Sequence, residues 1–476
     1  MMTDGLGSER RVCWKALLCV AAACAVVRLC IGWTIWRYDL FITHDEDIAR
    51  YWVAKNLFAI VPDGGDPARD YWFMEATPWL PLHLFLFNLL GRLGSIHLPA
   101  MLAFQNVLSW AATVLGSVLA WELAGRRREA TWLAAGLLVV FPLMDRVGSG
   151  LMSEPLFFLS LMMMTLGALK IARSESGTLP PRIIFWSGVV IGQLTRYEAW
   201  TFSLLLILAL GCVGNRRELA LRFGAWALIP MGWMAFHWLT LGDPLQFLTL
   251  TMDQYALNVS ALRSDRPLHA LWTSLMTVPQ LIAFAGCAAG IFLFRERDAR
   301  FVAALSLALL GQTFYLTWQG AGAFSFLEHH TLAPFLLAAP VAGAAIVEAV
   351  RRIVRGWNRT VELTAAALFV GSAAYAVLYL THEVSYQNER YSYRAIKNLT
   401  GDSTWIFVDG TRGDWNLPML EMIAPGRWEV RPPSNLPLLG AGDFILLLRR
   451  ENYRSGFQAA RTGQWVIVSP PPSTSR

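Results

Sequence analysis

Charge is what this sequence has least of. Only 16% of its 476 residues are Asp, Glu, Lys or Arg, where a water-soluble domain carries about a quarter. That shortage excludes a soluble globular enzyme as the main body of the chain. Cysteine is sparse too: Cys13, Cys19, Cys24, Cys30, Cys212 and Cys287 lie within or at the edge of apolar segments, and none is in the C-terminal region. Such placement excludes a disulfide framework. There is no basic face either. The net charge of +6 is dispersed in short clusters between apolar runs, which excludes nucleic acid as a partner. Nor does a small-residue cleavage site follow the first apolar run, which begins after Arg10, Arg11 and Lys15 and ends in Trp36-Arg37-Tyr38. It reads as a retained first helix rather than a signal peptide.

What the chain has is hydrophobicity, at 55% of residues. Apolar runs of roughly 20 residues, enough to cross a bilayer, recur from residue 14 to residue 381. Basic clusters flag cytoplasmic connections: Arg126 to Arg128, Lys170 with Arg173 and Arg182, Arg216 with Arg217, Arg295 with Arg297 and Arg300, and Arg351 to Arg359. An even number of crossings must separate them. Spans follow near 98–121, 130–144, 152–172, 183–196, 197–213, 219–240, 271–294, 300–318, 330–350 and 360–381, after the first. Residues 78–93, with two prolines, His83 and Asn88, suit an interfacial or re-entrant helix; a full crossing there would put the triple arginine outside.

The expected fold class is therefore an α-helical polytopic membrane protein with about eleven transmembrane helices plus an interfacial helix. Its N-terminus is cytoplasmic, in the plasma (inner) membrane. Residues 1–381 form the transmembrane domain, with a first outer loop at 37–77, and residues 382–476 form a small extracytoplasmic α/β domain. In the latter, strand-like runs (405–408, 428–430, 444–448, 465–468) alternate with helix-like stretches near Asn388 to Leu399 and Tyr453 to Arg461. The Pro-Pro-Pro-Ser-Thr-Ser tail reads as disordered.

Five polar places fall on the non-cytoplasmic side. The first is Thr43-His44-Asp45-Glu46-Asp47 with Arg50 and Tyr51, which alone would pass for a solvated acidic loop. The second is Asp145-Arg146 with Ser153-Glu154-Pro155, where a Ser cap and an acidic first turn are ordinary helix capping. The third, Thr195-Arg196-Tyr197-Glu198, is less ordinary. Two short apolar runs flank it with no loop between, so its charges lie at membrane depth, where a private ion pair is the plain alternative. The fourth is the connection 241–270, opening Gly242-Asp243-Pro244-Leu245, and the fifth is Glu328-His329-His330. Adjacent histidines point in different directions on a helix, which disfavours a two-His metal site. Five coincidences on one side of a bilayer argue for one active cavity.

A carboxylate and a guanidinium at an interface suit a lipid-phosphate-linked donor, whose tail stays in the bilayer while its phosphate sits at the boundary. The arginine fork grips phosphate through parallel charge-assisted bonds, and a carboxylate takes the proton of an attacking hydroxyl. A polyprenyl phosphate leaves readily once its charge is stabilised, so no metal is obligatory. Asp45, Glu46 and Asp47 could nonetheless hold a hard divalent cation.

These segments resemble those of a known family. Asp45-Glu46-Asp47, Arg50-Tyr51 and Ala54-Lys55-Asn56-Leu57 look like the first-loop motif of GT-C glycosyltransferases that use polyprenyl-phosphate sugars. Met152-Ser153-Glu154-Pro155-Leu156-Phe157, Leu194-Thr195-Arg196-Tyr197-Glu198, Leu241-Gly242-Asp243-Pro244-Leu245 and Thr77-Pro78-Trp79-Leu80-Pro81 are similar to recurring segments there, especially in mannosyltransferase-like members. The resemblance covers the membrane region and implies a cell-envelope enzyme transferring a sugar, with inversion, from a polyprenyl-phosphate donor to a hydroxyl of a glycan, lipid or protein. It makes Asp45 the candidate base, with Glu46 or Asp47 as alternatives in register. Glu46 otherwise orients the acceptor. Arg196 and Arg146 would hold the donor phosphate, and Asp47, Tyr51, Glu154, Tyr197, Glu198, His329 and His330 would line the cavity.

The rival class is a transporter or flippase for a lipid-linked or anionic substrate, with Arg196 and Glu198 in its path. Repeated halves with matching interrupted helices would mark one, and the sequence shows no such repeat.

Overall fold

The computed structural model describes residues 4–37, 80–93, 97–140, 148, 150–173, 179–211, 216–249, 278–318, 332–353 and 359–387, together with five strands between 406 and 469. Twelve helices occur among the described residues: α1 (Asp4–Arg37), α2 (Pro81–Gly91), α3 (His97–Leu123), α4 (Arg128–Val139), α5 (Glu154–Ala172), α6 (Leu179–Gln193), α7 (Glu198–Gly211), α8 (Arg216–Leu241), α9 (Val278–Leu293), α10 (Arg297–Trp318), α11 (Leu332–Ile353) and α12 (Arg359–Gln387). Each of the eleven expected spans coincides with one of them. Six, in α1, α3, α5, α8, α11 and α12, are long and apolar enough to cross a bilayer. Helix α2 is not. Its 11 residues rise about 16 Å against a hydrocarbon slab of roughly 30 Å, as expected for an interfacial helix.

Basic residues at the helix ends meet partners on neighbouring helices. Arg173, after α5, binds Glu122 of α3 and, beyond α9, Glu296 and Asp298, and Lys170 pairs with Glu122 at 3.4 Å. Arg128 at the start of α4 faces Glu362 of α12, Arg182 of α6 faces Glu218 of α8, and Arg352 of α11 reaches the Leu293 carbonyl of α9. One end of the bundle therefore gathers the C-terminal ends of α3, α5, α9 and α11 and the N-terminal ends of α4, α6, α8, α10 and α12. Helix α1 runs antiparallel to α3, since Ala21 meets Trp110 while Gly32 meets Asn106. Its N-terminus consequently belongs to the basic end as well.

The core lies between α3, α5, α6, α9 and α11. Helices α5 and α6 approach closely because glycine stands at their crossing. A Cβ at Gly188 would lie 2.8 Å from the Met164 amide nitrogen, and one at Gly167 would lie 2.7 Å from that of Phe185. Backbone cannot yield as a side-chain tip can. Gly188→Leu is therefore expected to splay the pair, costing about 1–3 kcal/mol or more, read as a lowered unfolding temperature in detergent.

Among the described residues Cys19, Cys24, Cys30 and Cys287 are free thiols. In the C-terminal region the strands are β1 (Ile406–Asp409), β2 (Trp428–Arg431), β3 (Phe444–Leu448), β4 (Gln458–Thr462) and β5 (Trp465–Ser469), in the order β2-β1-β3-β5-β4. β1 is parallel to both β2 and β3, while β5 is antiparallel to β3 and β4. The expected strands are found, but the helix expected near Tyr453 to Arg461 is corrected, because Gln458–Thr462 is strand β4. Thr462 pairs with Trp465 across two residues, the spacing of a tight hairpin, and ladder pairing outweighs the helical preference of Ala459 and Ala460. The stretch from Asn388 to Leu399 lies outside the described residues.

Candidate active site

The connection between α6 and α7 is four residues long, Leu194 to Tyr197. It closes tightly on its own peptide groups. The amides of Thr195 and Arg196 both donate to the Gly192 carbonyl (3.0 and 2.9 Å), Ala199 donates to Arg196 (3.1 Å) and Trp200 to Tyr197 (2.9 Å). The Trp200 indole adds a bond to the Gln193 carbonyl at 2.9 Å. These bonds satisfy much of the turn's backbone from within. At 15 and 14 residues, α6 and α7 rise only about 22 Å each, and the turn stands at the end of the bundle opposite the basic clusters.

Arg196 projects from this turn between two carboxylates. Its Nη1 binds Glu154, the first residue of α5, while Nε and Nη2 face Glu198 at 3.3 and 2.8 Å. The guanidinium also lies over the Phe157 ring, 5.8 Å from its centroid, a cation–π contact. Side-chain exposure separates the two acids: Glu154 is 2% exposed, Arg196 19% and Glu198 48%. The local pairing of Arg196 with Glu198 therefore exists, but it is not private, because Glu154 comes from 42 residues away.

The capping expectation at Ser153 is corrected. Ser153 occupies the cap position with helical φ −77° and ψ −11° and makes no side-chain cap bond; a capping hydroxyl needs extended backbone to reach back to the helix amides. Its buried Oγ has no hydrogen-bond partner among the described residues.

Aromatic packing fixes the next residue. The Tyr197 ring stacks on Phe247 (4.9 Å, 18°) and meets Trp200 edge-on, and its hydroxyl accepts from the Trp233 indole at 3.1 Å. His237 of α8, fully buried, packs against Trp233 and Phe247. Phe247 is delivered by the Gly242-Asp243-Pro244-Leu245 turn, in which Asp243 Oδ1 accepts from the Leu245 amide at 2.9 Å and Gly242 takes φ +78°. A positive φ is the conformation glycine adopts without strain.

Helix α2 docks on the same turn, since the Leu82 amide donates to the Leu194 carbonyl at 3.0 Å. Its His83 is wholly buried and bonds Gln105 of α3 at 3.1 Å; the same Gln105 amide donates to the Met152 carbonyl, next to Ser153. One turn further along α3, Ser109 donates to the Gly148 carbonyl. Arg28 of α1 is 2% exposed beside Gly148, where a Cβ would lie 3.3 Å from its Nη1.

Of the expected site residues, the fold brings together Arg196, Glu154, Glu198 and Tyr197, with Asp243 supporting the last through Phe247. Asp45, Glu46, Asp47, Tyr51, Arg146, His329 and His330 lie outside the described residues. The sequence reading had missed Arg28, Gln105, Trp233, His237, Phe247 and Phe157. Arg28 carried the clearest signal, being one charge within a long apolar span. The aromatics carried none, since apolar residues are common throughout such helices.

No family model and no curated protein matches this sequence. Among solved structures, ArnT from Cupriavidus metallidurans, crystallised with undecaprenyl phosphate, superposes with a TM-score of 0.53 over 92% of this chain and 99% of its own, at 13% identity. The chain thus shares the fold of that protein, reached with little sequence in common.

Proposed function

We propose that the chain is a plasma-membrane glycosyltransferase that transfers a sugar, with inversion, from a polyprenyl-phosphate donor to a hydroxyl acceptor outside the cytoplasm. The observation that carries this reading is Arg196, clamped by Glu154 and Glu198 at the end of the bundle away from the basic clusters, in a fold shared with a protein crystallised with undecaprenyl phosphate. An arginine placed there can meet a phosphate whose lipid remains in the bilayer.

In the reaction, Asp45 takes the acceptor proton as the acceptor oxygen attacks C1 of the sugar. The C1–O bond to phosphate breaks, and its electron pair leaves on the phosphate, where Arg196, with Arg146, stabilises it. A single displacement with no covalent intermediate inverts C1. Glu46 orients the acceptor. Asp47, Tyr51, Glu154, Tyr197, Glu198, His329 and His330 line the cavity. The acceptor is a glycan, lipid or protein of the cell envelope, and the sugar is a hexose, mannose-like, or a pentose.

Sugar transfer by Asp45→Asn in reconstituted protein tests this, with an expected loss of about 10²–10⁴-fold in kcat; a rate near wild type would remove Asp45 from the mechanism. Orientation is tested separately. The reading puts the region after α12 outside the cytoplasm and the basic clusters inside. In a variant without native cysteines, Ser473→Cys is expected to react with a membrane-impermeant maleimide in intact cells and Arg217→Cys only after lysis.

A further inference from the structure

A second group of charged residues, at the end of the bundle where the basic clusters gather, is used by none of the steps above. It surrounds a cavity of about 210 Å³ lined by Glu122, Gly125, Arg126, Lys170, Arg173 and Glu296. One ordered water needs roughly 10–15 Å³ of such space, so the cavity admits a group many times larger. Its walls are the C-terminal ends of α3 and α5, the turn after α3 and the connection between α9 and α10.

The acids of this cavity are already matched. Glu122 meets Lys170 at 3.4 Å and Arg173 at 3.5 Å, and Arg173 is further bound by Glu296, by Asp298 at 2.6 Å and by the Glu122 carbonyl at 3.0 Å. With Asp298 counted, Arg126, Lys170 and Arg173 balance the three carboxylates, so the cluster does not repel an anion. Donors remain on two of the cations. An ammonium carries three protons, and among the described residues the Lys170 side chain pairs with Glu122 alone. Arg126 pairs with no carboxylate among the described residues; its guanidinium lies over the Trp121 ring, 5.5 Å from the centroid.

The backbone holds Arg126 there at a cost. Its amide donates to the Trp121 carbonyl at 2.7 Å and that of Gly125 to Glu122 at 3.4 Å, the bond pair that closes a helix with a left-handed residue just past its end. Gly125 takes φ +64° freely, as glycine does. Arg126 follows at φ +70°, the one non-glycine residue with positive φ among the described residues. A residue with a Cβ is strained in that conformation, and such strain gathers where a ligand is held.

We propose that Arg126 and Lys170 bind a phosphate group in this cavity, carried by an anionic phospholipid. The site lies at the opposite end of the bundle from Arg196 and does not depend on the glycosyltransferase reading. Its position favours a headgroup as the carrier. The apolar stretches of α3 and α5 stop at Leu123 and Ala172, and a crossing helix stops at headgroup level, where basic pockets between spans take anionic headgroups. The guanidinium supplies a two-pronged grip and the ammonium a point charge beside it.

The test titrates the full chain in neutral detergent with dihexanoyl phosphatidylglycerol, with dihexanoyl phosphatidylcholine and with inorganic phosphate, reading affinity from the rise in unfolding temperature. Phosphatidylglycerol should stabilise the wild type at concentrations where phosphatidylcholine does nothing. Arg126→Gly removes the guanidinium and relieves the left-handed backbone, so without lipid it should unfold no earlier than the wild type, yet bind phosphatidylglycerol at least about 10-fold weaker. Lys170→Gln, which keeps a donor for Glu122, should weaken binding about 3–10-fold. Arg295→Gln removes a positive charge from the same end outside the cavity and should leave affinity within about 2-fold. If inorganic phosphate binds as tightly as the lipid, with the same loss in Arg126→Gly, the phosphate site stands and its carrier is a soluble phosphate. If neither probe stabilises the wild type, if Arg126→Gly binds like wild type, or if Arg295→Gln loses as much, the site is overturned.

Discussion

Arg196→Ala is expected to lower kcat/KM for a polyprenyl-phosphate sugar by about 10²–10³-fold, the loss seen when one preorganised donor to a developing oxyanion is removed. Arg196→Lys should recover little of it. An ammonium is a point charge on a flexible stem and cannot satisfy Glu154 through one nitrogen while presenting a two-nitrogen edge to phosphate. Donor titrations in nanodiscs separate the contributions. A rise in donor KM alone would mean that Arg196 only binds, whereas a fall in kcat as well means that its grip tightens as charge develops on the leaving oxygen.

Removing the buried acid should act on the folded state first. Glu154→Ala takes from Arg196, only 19% exposed, the more buried of these two carboxylates, and breaking a buried pair from one side costs about 3–5 kcal/mol. The expected result is a lower unfolding temperature and poor recovery from membranes. Replacing both partners together, as Glu154→Leu with Arg196→Met, should restore most of the stability, because two apolar side chains need no counter-ion at that depth. It should not restore sugar transfer. Recovery of transfer in the double variant would show that the pair only holds α5 against the α6–α7 turn.

The membrane architecture was legible because its signals are local and additive. Apolar runs between arginine clusters mark the helices, which fall where the sequence puts them, and α2, with Pro81 at its first position, is only 11 residues long. The strand-like runs of the C-terminal region were legible for the same reason. β4 was not, because Gln458 to Thr462 carries no alternating pattern and becomes a strand by pairing with β5.

The candidate site divides along the same line. The sequence by itself determined that a guanidinium and a glutamate stand side by side where α6 gives way to α7, since only a four-residue turn separates two apolar runs there. It also determined that the basic clusters share one end of the bundle. Only the tertiary structure decided that Glu154 serves Arg196 rather than capping α5, that Tyr197 is wedged between Phe247 and Trp233, and that α2 closes on the turn through Leu82. The physical reason is that these contacts join segments dozens of residues apart. Their geometry depends on how closely α5 and α6 pack at Gly167 and Gly188 and on where the Gly242 turn delivers Phe247, which are properties of the assembled bundle and of no single stretch of chain.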